Sequence, residues 1–243
     1  MKKTVLIILL LVPATAWSLT ADQIINRVDR NQTSVTQRYR ATMTIKKGRR
    51  ILIKKMWGYG RGNGEKSYIH FTNREDRGVK YLKLNKELWI YFPDADDTMK
   101  ISGHMLRQGM MGSDISYEDM METEAMRTLY RAKRKNDGTI RGRACYILDL
   151  TAKVSRAHYA RQVLYVDKAT WVPLKIEMYA RGGRMVKRVT QERIKRIGYR
   201  NVPMKMTIKD TRKRNSSTTI IFSRISFNVA LPRRAFSKGR LRR

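Results

Sequence analysis

Catalysis needs side chains that converge, and the residues able to supply it in this 243-residue chain are few. His70, His104 and His158 lie far apart in the sequence, and no nucleophile-elbow or zinc-helix spacing surrounds any of them. Asp94-Ala95-Asp96-Asp97 offers the oxygen ligands calcium takes, but it lacks the glycine and the distant glutamate of an EF-hand loop and reads as a solvated turn. His104 with Met99, Met105, Met110 and Met111 is a set of soft ligands of the kind copper(I) takes, with nothing to fix its geometry. The run Gly58-Tyr59-Gly60-Arg61-Gly62-Asn63-Gly64 imitates a dinucleotide loop. Its third required glycine is missing in either register and a strand follows where a helix should, so a flexible hairpin tip is expected. Cys145 is the only cysteine, which excludes an intrachain disulfide and a thiolate metal cluster. The expectation is binding without bond chemistry: no enzyme, no metal site and no cofactor.

What stands out instead is charge and methionine. The chain carries 53 Lys and Arg against 20 Asp and Glu, a net +33, far beyond what solubility requires. Residues 94–124 run the other way, with Asp94, Asp96, Asp97, Asp114, Glu118, Asp119, Glu122 and Glu124 against only Lys100 and Arg107. Residues 99–126 also hold seven of the 14 methionines. Methionine is flexible and polarizable, so two readings stand: a mobile apolar cover that repacks around variable ligands, or simple core filling beneath a helix. The acidic edge of the segment would be drawn to the basic scaffold.

The basic residues favour the C-terminal half, with 31 basic and six acidic residues in 131–243. They cluster at Arg131, Lys133, Arg134 and Lys135, at Arg212, Lys213 and Arg214, and in a tail that includes Arg240, Arg242 and Arg243. These are the candidate contacts to an anionic surface. Lipid head groups, an acidic protein and nucleic acid would each exploit them. Arg38-Tyr39-Arg40, Tyr179-Ala180-Arg181 and Tyr199-Arg200 interleave rings with cations as single-strand nucleic-acid platforms do.

The start of the chain ranks these partners. Met1-Lys2-Lys3, the apolar stretch Thr4 to Val12, and small residues through Ala16 and Ser18 have the layout of a secretory signal peptide, 1–18. Its apolar stretch is shorter than the roughly 20 residues of a bilayer span. Cleavage after Ser18, or after Ala16, which fits nearly as well, leaves a net charge of +31, and export puts lipid or protein partners ahead of nucleic acid.

Behind it, Thr20 and Gln23 have capping-box spacing, Leu19 is placed to staple onto Ile24, and Ile24, Ile25 and Val28 share one helical face. From Arg38 the apolar period falls to two. It recurs in residues 50–57, 67–71, 79–84, 87–92, 144–150, 162–166, 174–179, 185–194, 204–209 and 218–227, with turn chemistry at Lys47-Gly48, Asn136-Asp137-Gly138, Gly182-Gly183 and Asn215-Ser216-Ser217. Residues 116–130 read as helix and those before them as a long loop. The fold class expected is mainly β: one large antiparallel sheet with a dry and a wet face, and a few helices covering the dry one.

Leu88-Trp89-Ile90-Tyr91-Phe92-Pro93, Lys100-Ile101-Ser102-Gly103, and above all Gly112-Ser113-Asp114-Ile115-Ser116-Tyr117-Glu118-Asp119 resemble the signature of the outer-membrane lipoprotein-sorting family, the LolA-like proteins. Tyr165-Val166-Asp167-Lys168, Trp171-Val172-Pro173-Leu174-Lys175 and Phe227-Asn228-Val229-Ala230-Leu231-Pro232 agree. The resemblance implies a single periplasmic carrier domain, 19–243. Its curved sheet, an incomplete barrel, would be closed by a Met-rich cover, 94–130, over a cavity for acyl chains of lipoproteins or other lipids. It also implies an inner-membrane exporter, of the RND or ABC type, and an outer-membrane acceptor as partners. Candidate cavity residues are Ile69, Phe71, Leu82, Leu84, Trp89, Tyr91, Met105, Leu106, Met110 and Met111. Ser113, Asp114, Ser116, Tyr117, Glu118 and Asp119 would cap and orient the cover helix. The charge exceeds what a general lipoprotein chaperone needs, so a second reading stands beside the carrier: an exporter-associated module whose basic face docks an acidic protein or an anionic glycolipid.

Overall fold

A computed structural model of the chain describes residues 18–242. The expected leader therefore lies, apart from Ser18, outside the described residues, as does Arg243. The first element is the expected helix α1 (Ala21–Gln32). The Thr20 hydroxyl accepts from the Gln23 N–H at 3.2 Å, while Gln23 Oε1 accepts from the Thr20 N–H at 2.9 Å.

Fourteen strands follow: β1 (Thr36–Lys47), β2 (Arg50–Arg61), β3 (Lys66–Phe71), β4 (Lys80–Leu84), β5 (Glu87–Phe92), β6 (Asp97–Ile101), β7 (Tyr130–Arg134), β8 (Gly138–Ile140), β9 (Arg143–Ala152), β10 (Arg161–Asp167), β11 (Pro173–Tyr179), β12 (Met185–Ile197), β13 (Arg200–Asp210) and β14 (Ser216–Phe227). All join one antiparallel sheet in the order β6-β5-β4-β3-β2-β1-β14-β13-β12-β11-β10-β9-β7, with β8 also on β9. It does not close into a barrel. Almost every neighbour in space is a neighbour in sequence; the long-range pairing is β1 with β14, which joins the two halves of the chain.

The registers show why one face is dry. Leu148, Leu164, Ile176, Val189 and Ile208 stand directly opposite one another from β9 to β13, and the row continues through Thr218, Ile45 and Leu52 into β2. This inner face is covered in two parts. Helix α1 and the short α3 (Met126–Leu129) cover the half made by the C-terminal strands. Residues 99–121, with α2 (Tyr117–Met121), cover the half made by β1–β6.

Three sequence expectations are corrected. The helix expected over 116–130 is broken into α2 and α3, and Tyr130–Arg134 is a strand. The loop expected after residue 94 contains β6, an edge strand on β5. The glycine run is not all hairpin tip: Gly58 and Gly60 belong to β2. A Cβ at Gly58 would lie 2.6 Å from the Tyr39 ring and 2.7 Å from the Tyr68 carbonyl oxygen, so the strand is glycine there to let Tyr39 lie across it.

Candidate functional site

The most specific stretch of the resemblance, residues 112–119, is a row of fastenings that tie the cover to the sheet. Gly112 supplies a positive φ of 76° at the turn. Asp114, 1% exposed, reaches the inner row at its one polar member. Its Oδ2 accepts from the Thr218 hydroxyl at 2.8 Å, its Oδ1 from the Ser216 hydroxyl at 2.8 Å, and its own N–H donates to Thr218 Oγ1 at 2.8 Å. Lys213 donates to the Ser113 carbonyl at 2.9 Å. A buried carboxylate without such donors would be costly, so β14 fixes the position of this turn.

One turn later Ser116 and Asp119 form a capping box that starts α2. Asp119 also binds outward from the helix: Lys187 of β12 is ion-paired to Oδ2, and the Tyr159 hydroxyl donates to Oδ1 at 2.5 Å. Burial pushes the Asp119 carboxyl up, but the Lys187 charge and the hydrogen bonds from Lys187, Tyr159 and Ser116 outweigh it and hold it below the ordinary carboxylate range. Tyr117 lies against Tyr81 of β4, hydroxyl to hydroxyl at 3.1 Å. Glu118 and Glu122 flank His158, at 3.2 Å from Nδ1 and 3.7 Å from Nε2. At the far end of α2 the Lys83 ammonium donates to the Met120 and Met121 carbonyls at 2.8 and 3.1 Å. Burial lowers the Lys83 amine to about 8, against the opposing pull of Glu122 and Glu65. The acidic cover thus meets the basic scaffold through individual contacts, with Glu124 and Arg156 adding a two-pronged pair at 2.7 and 2.8 Å.

Where the two covered halves meet, the inner face is not filled. A cavity of about 500 Å³ opens between α1, the 122–126 link and strands β10–β13. Ile115, Leu129, Ile176, Met178, Met206 and Ile208 give it apolar walls. Asp29, Asn63, Glu122, Glu124 and His158 lie among its polar lining, and so do Asp119 and Lys187. The volume is in the range of small-molecule pockets, roughly 300–1,000 Å³. Asp119 and Lys187 therefore fasten α2 to the sheet and line the cavity at once.

The ten residues expected to line one cavity are divided between two faces. Ile69, Phe71, Met105, Leu106, Met110 and Met111 lie on the inner face, in the core beneath the cover. Leu82, Leu84, Trp89 and Tyr91 lie on the outer face, packed with Phe236 and Leu241 of the C-terminal tail. None of the ten lines the open cavity. The reason is physical: β4 and β5 are apolar on both sides because the tail roofs the outer one, so alternation cannot tell inside from outside. Most of the methionines of the cover act as core filling, as the second of the two readings held; Met126 does reach the cavity. His104 is exposed while Met110 is buried. Among the described residues no three His, Cys, Asp or Glu side chains form a group able to hold a metal ion.

The basic clusters also divide. Arg131, Lys133, Arg214 and Arg242 are exposed. Arg134 is turned to the Leu19 carbonyl and Asp137, Lys135 to Asp149, Arg212 to Asp210, and Lys213 to the cover. Arg240 lies over the Tyr59 and Tyr68 rings, 5.5 and 5.0 Å from their centroids. The Arg38-Tyr39-Arg40 platform does not form, whereas Tyr199 is 67% exposed with the Arg200 guanidinium 4.2 Å from its ring centroid. Tyr39 packs inward against Phe222 while Arg38 and Arg40 face out, and Arg200 is buried, donating to the Thr33 carbonyl. The cavity floor, Lys83, Lys187 and Tyr159 are the site residues that the sequence reading missed. A lysine at an inward-facing strand position is their only sequence signal, and it shows only once the face is known.

The sheet, its cover and the cavity between them define a class of fold shared with known structures. A DUF1329 family protein of Desulfovibrio piger is 27% identical, with a TM-score of 0.81 over 90% of this chain and 96% of its own. A domain of Vibrio parahaemolyticus assigned to outer-membrane lipoprotein sorting is 22% identical, with a TM-score of 0.79 over 91% and 97%. A LolA superfamily protein of Nitrosomonas europaea is 20% identical, with a TM-score of 0.73 over 92% and 100%. The fold is therefore that of the lipoprotein-sorting proteins. Sequence comparison with curated proteins gives no match. The chain belongs to the family whose model matches residues 63–243, described as an uncharacterized-protein-like family. Among the described residues no helix is long and apolar enough to cross a membrane.

Proposed function

We propose that the protein is a periplasmic carrier that holds acyl chains of a lipoprotein or another lipid in the cavity at the cover's edge, and moves them between membranes without bond chemistry. The observation that carries this reading is the cavity of about 500 Å³ on the inner face, with apolar walls that include Ile176, Met178, Met206 and Ile208, in a fold shared with lipoprotein-sorting proteins. Each methylene moved from water into such a cavity contributes about 0.8 kcal/mol, so part of a chain already gives useful affinity. Release would come from loosening the cover, whose fastenings are polar and separately breakable. The leader-like start of the sequence supports export.

Native mass spectrometry of protein purified from an envelope fraction without detergent tests this. A bound acylated species near unit occupancy is expected, and its loss on Met178→Trp, which fills the cavity, is expected with it. Consistently empty protein would overturn the carrier reading in favour of the exporter-docking module.

A further inference from the structure

The outer face of the sheet carries its cations in two states. Toward β9–β13 many are matched, Lys175 and Arg188 with Glu177, Lys205 with Glu192, Arg161 and Lys135 with Asp149, while Arg131 and Lys133 at the β7 edge are not. Toward β3–β5 the tail roofs the face. Between the two lies a bare strip on β2, β1, β14 and the near edge of β13. Its cations Arg38, Arg40, Lys46, Lys55, Lys209 and Arg224 are all exposed, and none has a carboxylate within ion-pair distance among the described residues.

In their midst are three isoleucines with much of their surface in water: Ile51 at 59%, Ile53 at 53% and Ile221 at 36%. The register shows that they share this face. Ile53 stands opposite Thr44 and Ile51 opposite Lys46; Ile221 stands opposite Thr42, itself opposite Lys55. Each is on the parity opposite to the buried Met43, Ile45 and Ile220.

A merely solvated strand needs no exposed isoleucine, and a purely electrostatic contact uses none. Single-stranded nucleic acid would need rings, and the one ring within the Arg38–Arg40 stretch, Tyr39, is turned inside. A second copy would bring like charge against like charge. An anionic bilayer meets both halves of the chemistry, with head-group phosphates for the cations and the acyl boundary for the aliphatic tips. We infer that this strip is the surface by which the protein docks on an anionic lipid bilayer, with the cover and cavity turned away from the membrane. The inference stands on the outer face alone and does not depend on what the cavity holds.

The test uses residues 19–243, which include all the elements described, in co-sedimentation with vesicles of equal parts phosphatidylglycerol and phosphatidylcholine, against phosphatidylcholine alone. Binding only to the anionic vesicles is expected. Ile51→Ser with Ile53→Ser, which leaves the charge unchanged, is expected to weaken it about tenfold. Lys46→Gln, Lys55→Gln and Arg224→Gln are expected to weaken it about fivefold each. Neutralising Arg233, Arg234 and Arg242 of the tail is the matched control and is expected to cost far less. All these side chains are exposed, and thermal melting checks that each variant folds. Wild-type binding by the isoleucine variant, or an equal loss from the tail variant, would overturn the inference. The first result would leave a contact made by charge alone, and the second would assign it to net charge. No binding of the wild type to the anionic vesicles would overturn the inference as well and assign the strip to an acidic protein partner.

Discussion

Single side chains decide whether the cover stays down. Asp119→Asn removes the partner of Lys187, which is only 3% exposed, and breaking such a pair costs about 3 kcal/mol; urea unfolding measures it. The carboxyl is held below its ordinary value of 3.8. Its contribution to stability is therefore complete above that value and is lost as the pH falls through the folded-state value. Melting temperature should drop over that acid range in the wild type and drop less in the variant. Lys83 gives the opposite sign. Its amine titrates near 8 when folded and at 10.5 when free, so between those values the unfolded chain binds the proton and the folded chain does not. Stability should rise with pH across that window, and K83M should flatten the rise in melting curves. The sequence showed Asp119 as part of a recognisable signature but pointed to Lys187 only once the strand face was known, and not to Tyr159. Those partners arrive from β12 and from the turn before β10, and strand register, not local pattern, brings them in.

At the scale of elements, the strands were legible wherever one face is wet. In β1 the alternation of Tyr39, Ala41, Met43 and Ile45 with polar residues matches its burial. The pattern failed in β4 and β5, which are covered on both sides. It also failed over 116–130, where Met120, Met121, Met126 and Leu129 suggest continuous helix although the chain turns at Glu122–Ala125 and enters β7. Two variants test these elements. Gly58→Ala puts a Cβ against the Tyr68 backbone and the Tyr39 ring and should cost about 1–3 kcal/mol, read as a lower denaturant midpoint. Leu241→Ala at the end of the tail removes a fully buried side chain and should cost about 2–3 kcal/mol. Tryptophan fluorescence should shift to the red as the tail lifts from Trp57 and Trp89.

The whole molecule is one meander folded back on itself, and this too was readable from strand after strand joined by short turns. The pairing order at the centre was not, because nothing local in Ala41 or Met43 names Phe222 or Ile220 as its neighbour. That central pairing has a consequence for how the chain is made. As the polypeptide emerges from its N-terminus, β1–β6 pair with strands already present, but one edge of β1 has no partner until β14 arrives within the last 30 residues. Until then a long edge of unpaired N–H and C=O groups is open to any other nascent chain, and the Asp114 turn has no Thr218 to rest on. The protein is thus most vulnerable when nearly complete, and a stop codon just before Ser216 should yield aggregates in place of a smaller sheet.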